Sequence, residues 1–99
     1  MADFELSVKA EQDLTEIYIV SYQKFGEAKA DAYLIGLEDS FFHLAENPLL
    51  GRKIDHIRKG YLHYEYIGHS IFYKRTRTGI KIMRVLHGSM NIEHHLSET

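Results

Sequence analysis

The hydrophobic period of the sequence changes near Ser7 and again at its single proline, Pro48. Between Ser7 and Pro48, apolar residues recur at three- and four-residue steps, which is the spacing of one face of a helix. Downstream of Gly51, apolar and polar residues alternate, which predicts strands with one buried face. Because a residue before proline is disfavoured in helical geometry, the helical part is predicted to end at Asn47. This order predicts an α+β fold, with a helical layer on one face of an antiparallel sheet.

The first half of the chain predicts a short strand and then a helix. Phe4–Val8 alternates apolar and polar residues, as a half-buried strand does. Ser7 is a predicted N-cap, and Glu11 and Asp13 put negative charge where the helix dipole favours it. Gly26 is predicted to end this helix. Its apolar stripe is Ala10, Leu14, Ile17, Tyr18, Ser21 and Phe25.

A second helix is predicted from about Glu27 to Asn47, so that one glycine joins two helices into an antiparallel hairpin. One of its faces carries Ala28, Ala32, Ile35, Phe42 and Ala45, with Leu34, Leu37, Phe41 and Leu44 beside it. We expect this apolar side of the helix to meet the sheet.

Three strands are predicted in the second half, at Leu62–Ile67, Ser70–Thr76 and Ile80–His87. The connections between them are short, which predicts antiparallel hairpins and the order β-α-α-β-β-β. The last strand is the most apolar, so we expect it to have a partner on both sides. Gly88–Thr99 is predicted to be a short helix or a loose end.

The composition of the chain limits its possible functions. Its 99 residues are predicted to form a single domain, residues 1–99. The absence of cysteine excludes disulfides and thiolate metal sites and favours a reducing compartment. Neither a signal peptide nor a run of roughly 20 apolar residues is present, so we expect a cytoplasmic protein without membrane contact. The seven histidines lack metal-ligand spacing, and no phosphate-binding loop or nucleophile motif occurs. We therefore expect neither a metal nor a cofactor.

Charge divides along the chain. Residues 1–50 contain ten acidic and three basic side chains, whereas residues 51–90 contain nine basic and two acidic ones. The basic half either is the solvated face of a sheet or meets a polyanion or an acidic partner. Tyrosines lie among these cations, and they either stack on nucleic-acid bases or serve as core rings with a hydroxyl at the rim.

Six short segments, in this order and spacing, resemble the ParE branch of the RelE/ParE toxin superfamily over residues 4–91. They are Ala10-x-x-Asp13-Leu14-x-x-Ile17, Phe25-Gly26-x-x-Lys29-Ala30, Leu44-x-x-Asn47-Pro48-x-x-Gly51, Ile57-Arg58-x-Gly60, His69-Ser70-Ile71-Phe72-Tyr73 and Ile82-x-Arg84-Val85-Leu86-His87-Gly88. The resemblance implies a helical hairpin on a curved antiparallel sheet. It also implies a bacterial type II toxin that supports plasmid or chromosomal stability.

Such a toxin is expected to inhibit DNA gyrase, through its A subunit and DNA, and to block replication. A ParD-like antitoxin is expected to neutralise it, and a small homo-oligomer is compatible with the resemblance. The residues expected to contribute to toxicity are Arg58, Lys74, Arg75, Arg77, Arg84, His87, Gly88, Met90 and Asn91. Those expected to bind the antitoxin are Leu14, Ile17, Tyr18, Phe41, Leu44 and Tyr73.

Two other hypotheses remain open at this point. The RelE branch cleaves messenger RNA on the ribosome, and here His87 would be the general acid with Arg58 and Arg84 on the phosphate. Against this, no tyrosine follows Tyr73, and Leu62 stands where a phosphate-binding arginine is expected. The third hypothesis is a toxin that has lost its activity and only binds its antitoxin.

Overall fold

The computed structural model describes residues 3–88 and Leu96, and it confirms the predicted α+β architecture. Its elements are β1 (Asp3–Leu6), α1 (Val8–Phe25), α2 (Glu27–Glu46), a 3₁₀ turn (Pro48–Leu50), β2 (Arg52–Lys53), β3 (Tyr61–Tyr66), β4 (His69–Arg75) and β5 (Gly79–His87). Neither helix of this part of the chain is long and apolar enough to cross a membrane. Apart from Gly88 and the buried Leu96, the predicted tail lies outside the described residues.

The five strands form one sheet in the order β1-β5-β4-β3-β2. The pairs of β5 with β4, β4 with β3 and β3 with β2 are antiparallel, and β5 has the two partners expected of it. The expectation of a wholly antiparallel sheet was wrong, because β1 pairs with β5 in parallel. Their long connection leaves the strand direction free, unlike a tight hairpin. The two-residue β2 was missed because two adjacent cations show no alternation.

The ends of the helices follow the sequence closely. The Ser7 side chain accepts a hydrogen bond from the Ala10 N–H at 3.0 Å, as predicted for an N-cap. The same hydroxyl donates to the Met83 carbonyl at 2.7 Å, so the cap also joins α1 to β5. Gly26 lies between the helices at φ 89°, a conformation that favours glycine. α2 ends one residue before Asn47, as the following proline predicts.

The structure distinguishes the two apolar stripes predicted for α2. In the stripe of Ala28, Ala32, Ile35, Phe42 and Ala45 only Ala45 is buried, whereas Ile35 and Phe42 are half or more exposed. The helix has two adjacent apolar stripes, and packing on the sheet selects the second one. The buried residues of α2 are Ala30, Leu37, Phe41, Leu44 and Ala45.

Both faces of the sheet are covered, which places four consecutive buried residues, Ser70–Tyr73, in β4. One face packs under the helices. The other face forms a smaller cluster of Ile54, Tyr61, Phe72, Leu86 and Leu96. The loop before β3 and Leu96 from the C-terminal segment thus shield the face that strand alternation assigns to solvent.

Tyr73 of β4 fastens the segment that follows α2 to the sheet. Its hydroxyl donates to the Pro48 carbonyl at 2.7 Å and accepts from the Gly51 N–H at 2.9 Å. The Tyr73 ring is fully buried, which raises the pKa of its hydroxyl and keeps it protonated. A Cβ on Gly51 would overlap the Tyr73 hydroxyl, so glycine is required by close approach.

We expect Gly51→Ala to lower the free energy of unfolding by about 1–3 kcal/mol, because the Tyr73 ring must shift and lose its two hydrogen bonds. Urea denaturation measures this directly. Gly88→Ala is the matched control, because a Cβ there meets nothing within 4 Å. It should change stability by less than about 0.5 kcal/mol. Equal effects of the two substitutions would show that the Tyr73 contact is unimportant.

Candidate binding surfaces

The junction between α1 and β5 is a nearly buried ion pair. The Asp13 carboxylate accepts from Arg84 Nε at 2.8 Å, from Arg84 Nη2 at 3.0 Å and from the Val85 backbone N–H at 3.0 Å. The two side chains are 8% and 12% exposed. The pairing of β1 with β5 ends at Ile82, so β1 offers no acceptor to the Val85 N–H. The Asp13 carboxylate accepts this hydrogen bond instead.

This geometry changes the role of two predicted residues. Asp13 was assigned to the helix dipole, but the structure makes it the partner of Arg84 instead, and only Glu11 is an acidic residue of the first turn. Arg84 was expected to contact the toxin's target or a scissile phosphate. Its guanidinium is turned toward Asp13 and nearly buried, so it is not presented to a ligand.

We expect Asp13→Ala to lower the free energy of unfolding by about 3–5 kcal/mol, since it leaves the Arg84 charge buried without its carboxylate. Glu16→Ala is the control, because Glu16 lies on the exposed side of the same helix. Its effect should stay within about 0.5 kcal/mol. Thermal or urea unfolding that cannot distinguish the two variants would contradict a structural role for the pair.

A second feature is a surface of seven cations at one end of the sheet, which we call the basic surface. It consists of Arg52, Lys53, Lys59, Lys74, Arg75, Arg77 and Lys81. All are exposed except Lys81, which is half-buried. In the strand register Lys74 lies directly opposite Lys81. Among residues 3–88 and Leu96, no carboxylate makes a salt bridge with any of the seven.

Three of these seven residues, Lys74, Arg75 and Arg77, belong to the predicted toxicity set, whereas Lys59, Lys81 and the two β2 cations were outside that set. The signal for Lys81 was available in principle, because a hairpin turn at Thr78-Gly79 places it across from Lys74. The cations of β2 could not be found, because that strand was not recognised.

Arg58 and the tyrosines do not form a stacking platform. Arg58 Nη1 donates to the Leu96 carbonyl at 3.0 Å, and the guanidinium carbon lies 5.5 Å from the centre of the Tyr61 ring. Tyr61 and Tyr73 are buried, and Tyr64 and Tyr66 pack against the core beneath the helices. The tyrosines of the sheet are therefore core rings, the second of the two interpretations given above.

The opposite end of the sheet carries a histidine pair. His87, which is exposed, lies directly across from the half-buried His69. The Tyr33 hydroxyl lies 2.5 Å from His69 Nδ1 and donates to the Ile67 carbonyl at 3.0 Å. Burial lowers the pKa of His69, and the neighbouring His87 lowers it further. Burial also raises the pKa of Tyr33 to about 12, so this hydroxyl stays protonated.

The residues required for ribonuclease chemistry do not converge. Arg58 lies just before Tyr61, at the end of the sheet where β3 begins opposite Lys74 of β4. His87 lies at the opposite end, where it pairs with His69 of β4. The five residue steps of β3 separate these ends by about 17 Å. Arg84 is held by Asp13. Gly88 is exposed, and Met90 and Asn91 lie outside the described residues.

Two histidines make stability depend on pH. His63 stacks on Phe72 with ring centres 4.9 Å apart, and burial lowers its pKa as it does for His69. Among the described residues, the His63 Nε2 atom has no hydrogen-bond partner. The folded state therefore binds protons less readily than the unfolded chain at both positions.

We expect stability to be fully present above the ordinary histidine pKa of about 6.5 and to decline as pH falls below it. Thermal melts between about pH 7.5 and 5 should show this decline, and His63→Gln with His69→Gln should flatten it. His43→Gln with His56→Gln is the control, because both of these side chains are exposed. If only the control pair changed the dependence of the melting temperature on pH, the assignment of this dependence to His63 and His69 would be contradicted.

The helical hairpin and β1 form a groove of about 580 Å³, which we call the hairpin groove. Its walls are apolar, and Glu11 and Glu38 stand among its lining residues. The Tyr18 hydroxyl donates to Asp31 Oδ1 at 2.6 Å, which joins the two helices and raises the pKa of Tyr18 to about 12. The apolar lining is formed by Phe4, Leu6, Leu14, Tyr18, Ile19, Leu34 and Phe41.

The six residues expected to bind an antitoxin are divided by this geometry. Leu14 and Tyr18 are half-buried and line the hairpin groove. Ile17 is half-buried and lines a second groove of about 490 Å³ between α1 and the histidine end of the sheet. Phe41, Leu44 and Tyr73 are fully buried and belong to the core. Of these three, only Phe41 lies at the floor of the hairpin groove.

The chain matches the family model of the ParE toxin of type II toxin–antitoxin systems, parDE, over residues 4–92. Toxin ParE1 of two strains of Mycobacterium tuberculosis is 37% identical over 92 residues, covering 92% of this chain and 94% of the relative. Toxin ParE1 of Caulobacter vibrioides is 35% identical over 96 residues, covering 97% and 99%.

A solved structure titled as the chromosomal ParDE TA system from P. aeruginosa superimposes with a TM-score of 0.73. The match covers 88% of this chain and 96% of the other one, at 20% identity. This likeness confirms the fold.

Proposed function

Because this chain belongs to the ParE toxins of type II toxin–antitoxin systems, we propose that it inhibits DNA gyrase and that a ParD-like antitoxin neutralises it. The proposed target is the gyrase A subunit together with DNA, with a block of replication as the result. The observation that carries the proposal is the basic surface, a set of cations without carboxylate partners in the described residues.

Inhibition by binding requires a complementary surface rather than a catalytic centre. The basic surface supplies one, since DNA and DNA-associated sites on an enzyme attract cations. Among the predicted toxicity residues, Lys74, Arg75 and Arg77 are exposed there. Arg58 and Arg84 act structurally in this proposal, by holding Leu96 and by joining α1 to β5.

The hairpin groove is the proposed antitoxin site. Its apolar lining suits one face of an amphipathic segment, and Glu11 and Glu38 favour basic residues beside that face. A segment that folds on binding can supply this contact over an extended surface. The exposed Ile19 and the half-buried Leu34 continue the apolar lining toward solvent.

We expect the purified chain to inhibit supercoiling by gyrase and to accumulate linear, protein-linked DNA. Lys74→Glu with Arg77→Glu should abolish inhibition, because it reverses two charges of the basic surface. Lys24→Glu with Lys29→Glu makes the same charge change on the helical layer and should retain inhibition. Circular dichroism checks that both variants are folded.

Untouched supercoiling at excess wild-type protein would refute gyrase as the target. Inhibition that survives the Lys74 and Arg77 reversal, but not the helical one, would refute the basic surface as its origin. Messenger RNA cleavage in a ribosome-containing reaction would instead support the RelE-type activity.

A further inference from the structure

We propose that the basic surface binds the phosphate backbone of double-stranded DNA by itself, without gyrase and without reading sequence. Its role in the cell rests on the proposed function, but the binding does not. The inference starts from the strand register, in which Lys74 of β4 lies directly opposite Lys81 of β5. Like charges opposite each other in a sheet repel, so an anion laid across both strands relieves the repulsion.

The basic surface extends far enough across the sheet to meet several phosphates. Lys81, Lys74 and Arg52 share one face of the sheet and lie on strands β5, β4 and β2, with β3 between β4 and β2. Three strand spacings of about 4.8 Å give a width of about 14 Å. A duplex carries one negative charge per about 1.7 Å of its axis, so about eight phosphates fall within that width.

The exposed side chains of the β4–β5 hairpin favour a polyanion over a folded protein partner. Between Gly68 and Gly88, no large apolar side chain is exposed. Protein interfaces depend on buried aromatic or aliphatic anchors at their centre, and the β4–β5 hairpin offers none. The exposed residues at its turn are instead lysine, arginine and threonine, which are side chains that bind phosphate oxygens, and its other end exposes His87.

Duplex backbone fits better than single-stranded RNA. Recognition of single strands relies on aromatic rings on which unpaired bases stack, and the tyrosine rings of this sheet are buried or packed beneath the helices. Residues 51–88 contain neither asparagine nor glutamine, the side chains that pair with adenine in the major groove. The contacts are therefore predicted to position the protein on DNA without sequence preference.

The acidic parts of the molecule orient it on DNA. Glu5 of β1 lies next to Lys81 in the register, and Asp3 lies next to Gly79. The helical layer is also acidic. A duplex is therefore repelled from β1 and from the helices and approaches from the β2–β4 side of the hairpin.

The test is fluorescence anisotropy of a labelled 20-base-pair duplex with the purified chain, without gyrase, over a salt series. The logarithm of the association constant should fall linearly with the logarithm of salt concentration. Lys74→Gln with Lys81→Gln should reduce the magnitude of this slope by about 1.8, at about 0.9 for each phosphate contact. Affinity at low salt should fall at least tenfold. Lys24→Gln with Lys29→Gln, the matched control, should keep the wild-type slope.

Competition assigns the anion. An unlabelled duplex of unrelated sequence should displace the probe as well as the original, and polyglutamate and single-stranded RNA should displace it poorly. Stronger displacement by polyglutamate would overturn the inference in favour of an acidic protein, and stronger displacement by RNA in favour of single strands. Absence of binding at 50 mM salt, or equal slopes for the two variants, would overturn it as well.

The two proposals fail separately. Gyrase inhibition without duplex binding would retain the proposed function and overturn this inference. Duplex binding without gyrase inhibition would retain this inference and refute gyrase as the target.

Discussion

The Asp13 carboxylate determines how the two layers of this protein meet. It serves three donors on β5 at the point where β1 has ended, close to a register shift between Phe72 and Tyr73 in the neighbouring strand pair. A few residues earlier, the Ser7 hydroxyl bonds to the Met83 carbonyl. These contacts fix the start of α1 along β5. Since α2 follows α1 through one glycine, they also set the position of the hairpin groove.

The same contacts explain how a chain with segregated charges stays folded. The acidic residues lie mainly in the helices and the basic ones mainly around the sheet, so attraction between layers is opposed by repulsion within each. The pair of Asp13 and Arg84 is where the two sets join in a site with little water, and there the interaction is strongest. The cations at the other end of the sheet gain no such partner among the described residues, which leaves them available to an external anion.

Local signals predicted most of the fold, and long-range pairing accounts for the errors. Ser7, Gly26 and Pro48 act on their immediate neighbours, so the ends of both helices could be read from sequence. The parallel pairing of β1 and the selection of one apolar stripe on α2 depend on contacts between distant segments. Arg84 shows the same limit at the candidate site. Its charge pointed to a ligand, but Asp13, 71 positions earlier, takes its guanidinium.

The positions of the two candidate surfaces constrain any mechanism of neutralisation. The hairpin groove lies between the helices and β1, whereas the basic surface begins on the opposite side of β1, at Lys81. A partner confined to the groove therefore leaves the cations uncovered. If both proposals hold, an antitoxin that blocks the basic surface directly must continue past β1 with an acidic segment, because the surface it has to cover is cationic. Asp3 and Glu5 repel that segment where it crosses β1, and the cations beyond them attract it. An antitoxin that stops in the groove must instead act by its bulk, by keeping gyrase away while DNA contact persists.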